Sequence, residues 1–113
     1  MKYNYWVESL DIGGKKRFVF RLPDELKAVE IFFNSDIQSE HMSNKVKDEC
    51  IQVQRGIVGE ISFNSNSCSV TIKSDYVHIK DRYAEDNNAF SIETSELVLL
   101  IEAFAMEKKK SII

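Results

Sequence analysis

The sequence predicts an α+β fold in which an antiparallel β-meander packs against a C-terminal amphipathic helix. The first observation is an apolar stripe near the C-terminus, where Leu97, Leu100 and Phe104 recur at helical spacing. The second is a set of four short runs before it that alternate apolar and polar residues, as half-buried strands do. The third is size, because 113 residues, 43% of them hydrophobic, suit a single domain over residues 1–113.

An N-terminal β-hairpin is expected before these elements. Residues 3–10 are rich in aromatic side chains and alternate in character, which is typical of a strand. Gly13 and Gly14 then supply the positive backbone φ angles of a tight turn. A second strand follows over residues 17–22, and it places Phe18 and Phe20 on one face.

Residues 23–48 are the ambiguous part of the chain. Pro23 ends the second strand and is followed by acidic residues that suit the first turn of a helix over residues 23–33. The apolar residues at positions 29, 31 and 33 also alternate, so a strand over residues 28–33 is the alternative. Residues 34–48 are polar and poorly periodic, which indicates a loop or a short exposed helix. The sequence therefore leaves residues 28–48 open between helix, strand and loop.

From about residue 51 onward the pattern indicates the meander. Strands are expected over residues 57–63, 68–72, 77–79 and 90–92, separated by polar clusters that are short except over residues 81–88. The opposite face of these strands is polar and should remain in contact with water. It consists of Glu60, Ser62, Ser69, Thr71, Lys73, Tyr76, His78, Lys80, Ser91 and Glu93.

The final helix, expected over residues 95–110, has matching signals at both ends. Thr94 or Ser95 can cap its N-terminus, Glu96 lies in its first turn, and lysines occupy its last turn. Burial of four apolar residues on one face of this helix, Leu97, Leu100, Ile101 and Phe104, at about 1.5–3 kcal/mol each would give a gross gain of roughly 6–12 kcal/mol. The packing of this helix is therefore expected to decide whether the domain folds.

No catalytic, metal or cofactor site is expected. His41 and His78 are the imidazoles that could activate a nucleophile, and neither lies in a recognisable motif. Cys50 and Cys68 stand 18 positions apart without a nearby ligand, so we expect buried, reduced thiols. The glycine pair before Lys15 lacks the spacing of a phosphate-binding loop and suits a hairpin turn.

The distribution of charge is more informative than the formal net charge of −3. Residues 60–107 carry three Lys/Arg and nine Asp/Glu, a local balance of −6. The lysines at 108–110 suit solubility and the helix dipole, so direct binding of nucleic acid is not expected.

The sequence also predicts a compartment. No apolar run approaches the roughly 18 residues that a membrane span requires. Residues 1–8 contain no apolar core of signal-peptide length. We therefore expect a protein that acts in the cytoplasm without membrane contact.

The polar cluster over residues 81–88 has two interpretations. It combines the acidic residues Asp81, Glu85 and Asp86 with Arg82 and Tyr83. One interpretation is a solvated loop. The other is a docking site for a basic partner, where carboxylates raise the association rate and a tyrosine serves as an anchor.

The order of these elements resembles small bacterial immunity proteins of contact-dependent growth inhibition and other polymorphic toxin systems. The resemblance covers about half of the chain, from about residue 51 to the C-terminal helix, and it rests on arrangement. It is carried by the run Gly59, Glu60, Ile61, Ser62 and Phe63, by two tight turns, and by Phe90, Ser91, Ile92, Glu93, Thr94, Ser95, Glu96 and Leu97.

The resemblance implies a cytoplasmic inhibitor, not an enzyme, that binds a cognate toxin. Such a toxin is often a basic nuclease domain, whose active site or substrate surface the inhibitor blocks. Acidic groups would then meet cations that otherwise hold nucleic-acid phosphates. From the charge map, the expected partner-binding residues are Glu60, Tyr76, His78, Asp81, Arg82, Tyr83, Glu85, Asp86 and Glu93.

A secretion chaperone or adaptor is the alternative function. Such proteins are also small, acidic and α+β, but they are expected to form homodimers and to expose an apolar groove to a client protein. The oligomeric state would therefore separate the two functions.

Overall fold

The computed structural model describes residues 1–84 and 89–112 of the chain and confirms the α+β prediction. The strands are β1 Trp6–Ile12, β2 Lys15–Arg21, β3 Ile61–Asn64, β4 Cys68–Ile72, β5 Tyr76–Asp81 and β6 Ala89–Glu93. The helices are α1 Lys27–Ile31, α2 Glu40–Gln54 and α3 Thr94–Ile112. A 3-10 turn, Asp24–Leu26, precedes α1, and a π-helical turn, Phe32–Asp36, follows it.

The N-terminal hairpin forms as predicted and is a separate two-stranded antiparallel sheet. Its two-residue turn uses Gly13 at φ 59° and Gly14 at φ 81°, backbone conformations that side-chain-bearing residues rarely adopt. The first strand spans Trp6–Ile12, so the prediction of residues 3–10 began three residues too early and ended two residues too early. Tyr3 and Tyr5 precede the strand and pack against the core with their rings.

Two contacts attach the hairpin to the helices. The Phe20 ring is fully buried and meets the rings of Phe33 and Phe104 edge-on, both at 5.3 Å between centroids. The Asn34 amide then takes the place of a neighbouring strand, because its Oδ1 accepts from the Phe20 N–H at 3.0 Å and its Nδ2 donates to the Phe20 carbonyl at 2.9 Å. The backbone N–H and carbonyl groups of Phe20 are therefore both hydrogen-bonded without a third strand.

Residues 24–36 are helical, which confirms the predicted helix and excludes the alternative strand over residues 28–33. Leu26, Val29 and Phe33, which recur at helical spacing, are fully buried. Phe32 is buried as well, and it lies 6.4 Å from the Phe63 ring of β3. This short helical unit therefore joins the hairpin to the four-stranded sheet.

The prediction of a loop or a short exposed helix over residues 34–48 was wrong, because helix α2 is 15 residues long and continues to Gln54. Its N-cap is Ser39, whose hydroxyl accepts from the Met42 N–H at 3.1 Å. One face is buried at helical spacing by Ser43, Val46, Cys50 and Val53. Few of these residues are large and apolar, which is why the periodicity was weak.

The third strand was also predicted to begin too early. Gly56, at φ 72°, ends the turn after α2, and the Ile57 N–H still donates to the Gln52 carbonyl at 3.0 Å. Ile57 is 69% exposed and belongs to no strand, so the predicted face over residues 57–63 is reduced to Ile61 and Phe63.

The four remaining strands form the predicted meander in the order β3-β4-β5-β6, all antiparallel. Its inner face is buried by residues of β4, β5 and β6, and α1 and α3 pack against this face. The buried residues are Cys68, Val70, Ile72, Val77, Ile79 and Ile92. The opposite face is not covered by any element within the described residues, as predicted.

Helix α3 buries its predicted stripe completely, since Leu97, Leu100, Ile101 and Phe104 are at most 2% exposed. Thr94 is the first residue of the helix, and its hydroxyl donates to the Lys73 carbonyl at 2.7 Å. This bond ties the start of the helix to the turn between β4 and β5.

Helix α2 runs antiparallel to α3 and contacts it along its length. One ion pair joins the start of α2 to the C-terminal part of α3, with Lys109 Nζ at 3.4 Å from Glu40, and a second joins the middles of the two helices, with Lys47 Nζ at 3.9 Å from Glu102. These pairs are largely exposed and contribute little to stability.

Both cysteines are unpaired and buried, and burial raises the pKa of the Cys50 and Cys68 thiols to about 12. Across residues 1–84 and 89–112, no group of His, Cys, Asp and Glu side chains is arranged to hold a metal ion. Among these residues no helix has both the length and the apolar character needed to cross a membrane.

Candidate partner-binding face

The uncovered face of the four-stranded sheet, which we call the open face, carries a row of small polar side chains. The register places Ser62 opposite Thr71, Thr71 opposite His78, and His78 opposite Ser91. Because successive side chains of a strand alternate between the faces, all four point away from the core. The row crosses the full width of the sheet.

Hydrogen bonds within this row run between neighbouring strands. The hydroxyls of Ser62 and Thr71 are 3.1 Å apart, and His78 Nδ1 contacts the Ser91 hydroxyl. His78 is exposed, as predicted, and the described residues offer its ring no carboxylate partner. An activated serine would require an imidazole that a third group orients. The geometry therefore shows surface hydrogen bonds between neighbouring strands.

Small side chains leave a shallow depression of about 440 Å³ in the open face. Ser69, Thr71 and Ser91 lie within it, and Lys80 stands at its border beside Ala89, its partner in the register. The depression is open to solvent along the strands. It offers hydroxyl groups that can donate and accept hydrogen bonds to a partner that lies flat against the sheet.

Glu60 and Tyr76 stand at one end of the open face. Lys73 Nζ lies 4.0 Å from the Glu60 carboxylate, and both side chains are about half exposed. The Tyr76 ring is 45% exposed and pairs across strands with Glu93. The end of the face therefore presents an aromatic ring between two carboxylates.

Glu93 is held by the N-terminal segment, a contact that the sequence did not indicate. Lys2 Nζ and the Tyr3 hydroxyl each donate to its carboxylate at 2.7 Å. The hydrogen bond from Lys2, followed by that from Tyr3, lowers the pKa of Glu93 to about 2. This carboxylate is therefore charged at neutral pH and already has a cation beside it.

Asp81, Arg82 and Tyr83 lie where β5 ends. Asp81 is the register partner of the buried Cys68, so its side chain lies on the inner side of the sheet and not on the open face. The Arg82 guanidinium donates to the carbonyls of Ser65 and Asn66, in the latter case at 3.0 Å. It also lies 5.6 Å from the centre of the Tyr83 ring. Arg82 therefore fixes the end of β5 against the β3-β4 turn and supports Tyr83.

Tyr83 is 74% exposed, and the Asp81 carboxylate accepts from the Tyr83 N–H at 3.0 Å. The side chain of Tyr83 is thus presented to solvent from a backbone held in place. Glu85 and Asp86, which were predicted to share this site, lie outside the described residues.

The structure places Tyr76, His78 and Glu93 on the open face, whereas Asp81 lies on the inner side of the sheet at the far end of β5. Tyr76 and Asp81 are five residues apart on β5, a separation of roughly 17 Å along a strand. The contact of Lys2 and Tyr3 with Glu93 was not predicted, because a contact across about ninety residues leaves no local signal in the sequence. The row formed by Ser62, Thr71, His78 and Ser91, which we call the hydroxyl row, was not predicted either, since only the register of the strands brings these residues side by side.

Comparison with known proteins gives one clear likeness. A curated protein from Bacillus cereus, named "Immunity protein", is 32% identical over 112 residues, which span 97% of this chain and 92% of that protein. No family model matches the chain. No solved structure matches it.

Proposed function

The chain belongs to the same family as this bacterial immunity protein, and from that premise we propose that it neutralises a cognate toxin by binding it. The observation that carries the proposal is the extent of the likeness, which runs over almost the whole of both chains. An inhibitor of this kind acts by stoichiometric binding and requires no catalytic group of its own.

The open face is the proposed toxin-binding surface. It is an uncovered sheet face with two exposed tyrosines, Tyr76 and Tyr83, near its two ends. Tyrosine is enriched among residues that dominate binding energy, because it buries a large area at a small cost in side-chain entropy. His78 and the hydroxyl row lie between these anchors and supply directional hydrogen bonds.

The proposed partner is a basic toxin domain of the nuclease class. Residues 60–107 have a charge balance of −6, and a nuclease must carry cations to hold nucleic-acid phosphates. The Glu60–Lys73 pair is exposed and contributes little to stability, so Glu60 can exchange Lys73 for a cation of the toxin. Asp81, Glu85 and Asp86 are proposed to add negative charge in the segment that begins at the end of β5.

The encounter is proposed to take place in the cytoplasm, as part of contact-dependent growth inhibition or another polymorphic toxin system. Two unpaired, buried cysteines suit a reducing compartment and support this placement. In such a system the toxin is the basic C-terminal domain of a large secreted protein encoded immediately upstream. A neighbouring reading frame without such a domain would contradict this part of the proposal.

Growth protection tests the proposed function. The neighbouring toxin domain is expressed from an inducible promoter in cells with and without this chain. We expect arrested growth without the chain and restored growth with it. Arrest in both strains, with both proteins present at equal levels, would refute toxin neutralisation.

Association kinetics test the acidic segment. Changing Asp81, Glu85 and Asp86 together to alanine should slow association with the purified toxin at low salt, and the difference should shrink as salt screens the charges. The matched control changes Asp11, Glu25 and Asp48, which are exposed elsewhere, to alanine. If both triple variants associate as fast as the unmodified chain at low salt, residues 81–86 are not the docking site.

A further inference from the structure

A basic cleft lies between the hairpin, residues 33–38 and the C-terminal half of α3. Its volume is about 400 Å³. None of its lining residues belongs to the four-stranded sheet. A ligand in this cleft would therefore leave the open face accessible.

The floor of the cleft is aromatic. The Phe104 ring lies 5.1 Å from Phe33 and 5.8 Å from Phe18, measured between ring centroids. Phe33 and Phe104 are buried by other core residues, while Phe18 is only partly buried. Of these three rings, Phe18 has accessible surface and can offer apolar contact to a side chain that enters from solvent.

Three cationic residues from two elements line the cleft. Lys16 and Arg17 are exposed residues of β2, and Lys108 projects from α3. Lys108 Nζ donates to the Gln38 carbonyl at 2.9 Å and lies 5.5 Å from the centre of the Phe104 ring. One hydrogen bond leaves two of its three N–H donors free for a ligand. Burial lowers the pKa of Lys108, and the same desolvation weakens the screening of its charge by water.

Carboxylates near this cleft are engaged elsewhere. Glu40 is paired with Lys109 at 3.4 Å, and Glu107 with Lys110 at 3.7 Å. Asp11 is the register partner of Lys16 but does not approach its ammonium within 4.0 Å. Across residues 1–84 and 89–112, no carboxylate forms an ion pair with any of the three cleft cations. The cleft thus has an excess of positive charge on a molecule of net negative charge.

We propose that this cleft is a second docking site, separate from the open face, for an acidic protein segment that inserts an apolar side chain between flanking carboxylates. The cations stand apart on two elements, so several carboxylates on one flexible segment satisfy them better than a single compact anion does. The aromatic floor accommodates the apolar anchor, which a bare phosphate lacks.

The test uses an amidated, N-acetylated pentapeptide with a central phenylalanine flanked by glutamates. The comparison peptide has glutamines in place of the glutamates. Each is titrated into the isotope-labelled full chain, and the backbone amide resonances are followed by NMR. We expect saturable shifts confined to the neighbourhood of Phe18, Phe33 and Phe104, with the glutamate peptide binding more tightly than the glutamine peptide.

The decisive variant is Lys16→Gln with Arg17→Gln, two exposed positions whose replacement preserves the fold. Its affinity for the glutamate peptide should fall about 3- to 30-fold, as two partly exposed ion pairs predict. The matched control, Lys15→Gln with Lys45→Gln, removes the same charge outside the cleft and should change affinity less than about twofold. Lys108→Met, which keeps an apolar stem over Phe104, should weaken binding as well.

Four results of the binding experiments would overturn the assignment. These are the absence of saturable shifts, equal binding of both peptides, equal loss in the control variant, and tighter binding of inorganic phosphate or a single-stranded RNA at the same residues. A mass that rises with protein concentration would identify a second copy of the chain as the occupant and would also overturn it. None of these measurements involves the toxin, so the result is independent of the growth-protection test.

Discussion

Replacing Leu100 by alanine tests the packing of α3 on the sheet. Leu100 is fully buried, whereas its neighbour Leu99 on the same helix is 40% exposed. The pair therefore offers the same chemical change at two degrees of burial. Because the residue types and the secondary structure are matched, the difference between the two variants reports packing and not helix propensity.

The expected magnitude follows from the burial of Leu100. Removing a fully buried leucine side chain costs about 2–5 kcal/mol, which combines lost transfer free energy with the cavity that remains. For a chain of 113 residues, an unfolding entropy of roughly 2.1 cal/mol/K per residue converts this cost into a Tm decrease of roughly 8–20 °C. Leu99→Ala should cost clearly less than Leu100→Ala, because Leu99 is 40% exposed and its truncation leaves no enclosed cavity.

Urea denaturation followed by circular dichroism measures both variants. The midpoint for Leu100→Ala should fall while the slope of the transition stays the same, since the surface exposed on unfolding hardly changes. A loss of less than about 0.5 kcal/mol for Leu100→Ala, or equal losses for the two variants, would refute the packing of α3 described above.

Two further predictions concern polar contacts. Asp36 is buried and accepts hydrogen bonds from the Ser67 N–H at 2.9 Å and from the Ser65 hydroxyl. Asp36→Ala should therefore lower the free energy of unfolding by about 1–3 kcal/mol. The control Asp48→Ala changes an exposed residue and should not lower it. Equal effects of the two changes in denaturation curves would contradict this role. Glu93 has a folded-state pKa of about 2 against an ordinary 4.5, so its contribution to stability is present above pH 4.5 and is lost as the pH falls toward 2. The Glu93→Gln variant should therefore be less stable than the unmodified chain at neutral pH and should lose less stability over that acidic range. Parallel profiles of unfolding free energy against pH for the two proteins would argue against the contact with Lys2.

The elements with strong periodicity could be predicted from the sequence. Helix α3 has a continuous stripe of large apolar residues, and β4 and β5 alternate cleanly, so the face that each element buries was evident. Helix α2 was missed because Ser43 and Cys50 dilute its buried face. A serine at position 39, which caps the helix, and a glycine at position 56, which takes a positive φ angle after it, are local sequence signals that together indicate its two ends.

The polar character of the open face was predictable in the same way, from alternation along each strand. Contacts between distant parts of the chain were not. The Asn34 side chain completes β2, and Lys2 holds Glu93, although 14 and 91 residues separate the partners. The basic cleft likewise assembles Lys16, Arg17 and Lys108 from opposite ends of the sequence, and only the fold brings them together.

Neutralisation of a toxin by direct binding is the function proposed for this chain. Its most direct test is a titration of the purified chain into the purified neighbouring toxin domain, with the toxin's own activity as the measured quantity. We expect the toxin's activity to fall linearly and to be abolished at an equimolar amount of the chain, with a stable complex seen by native mass. Full toxin activity in the presence of a large molar excess of the folded chain would contradict it.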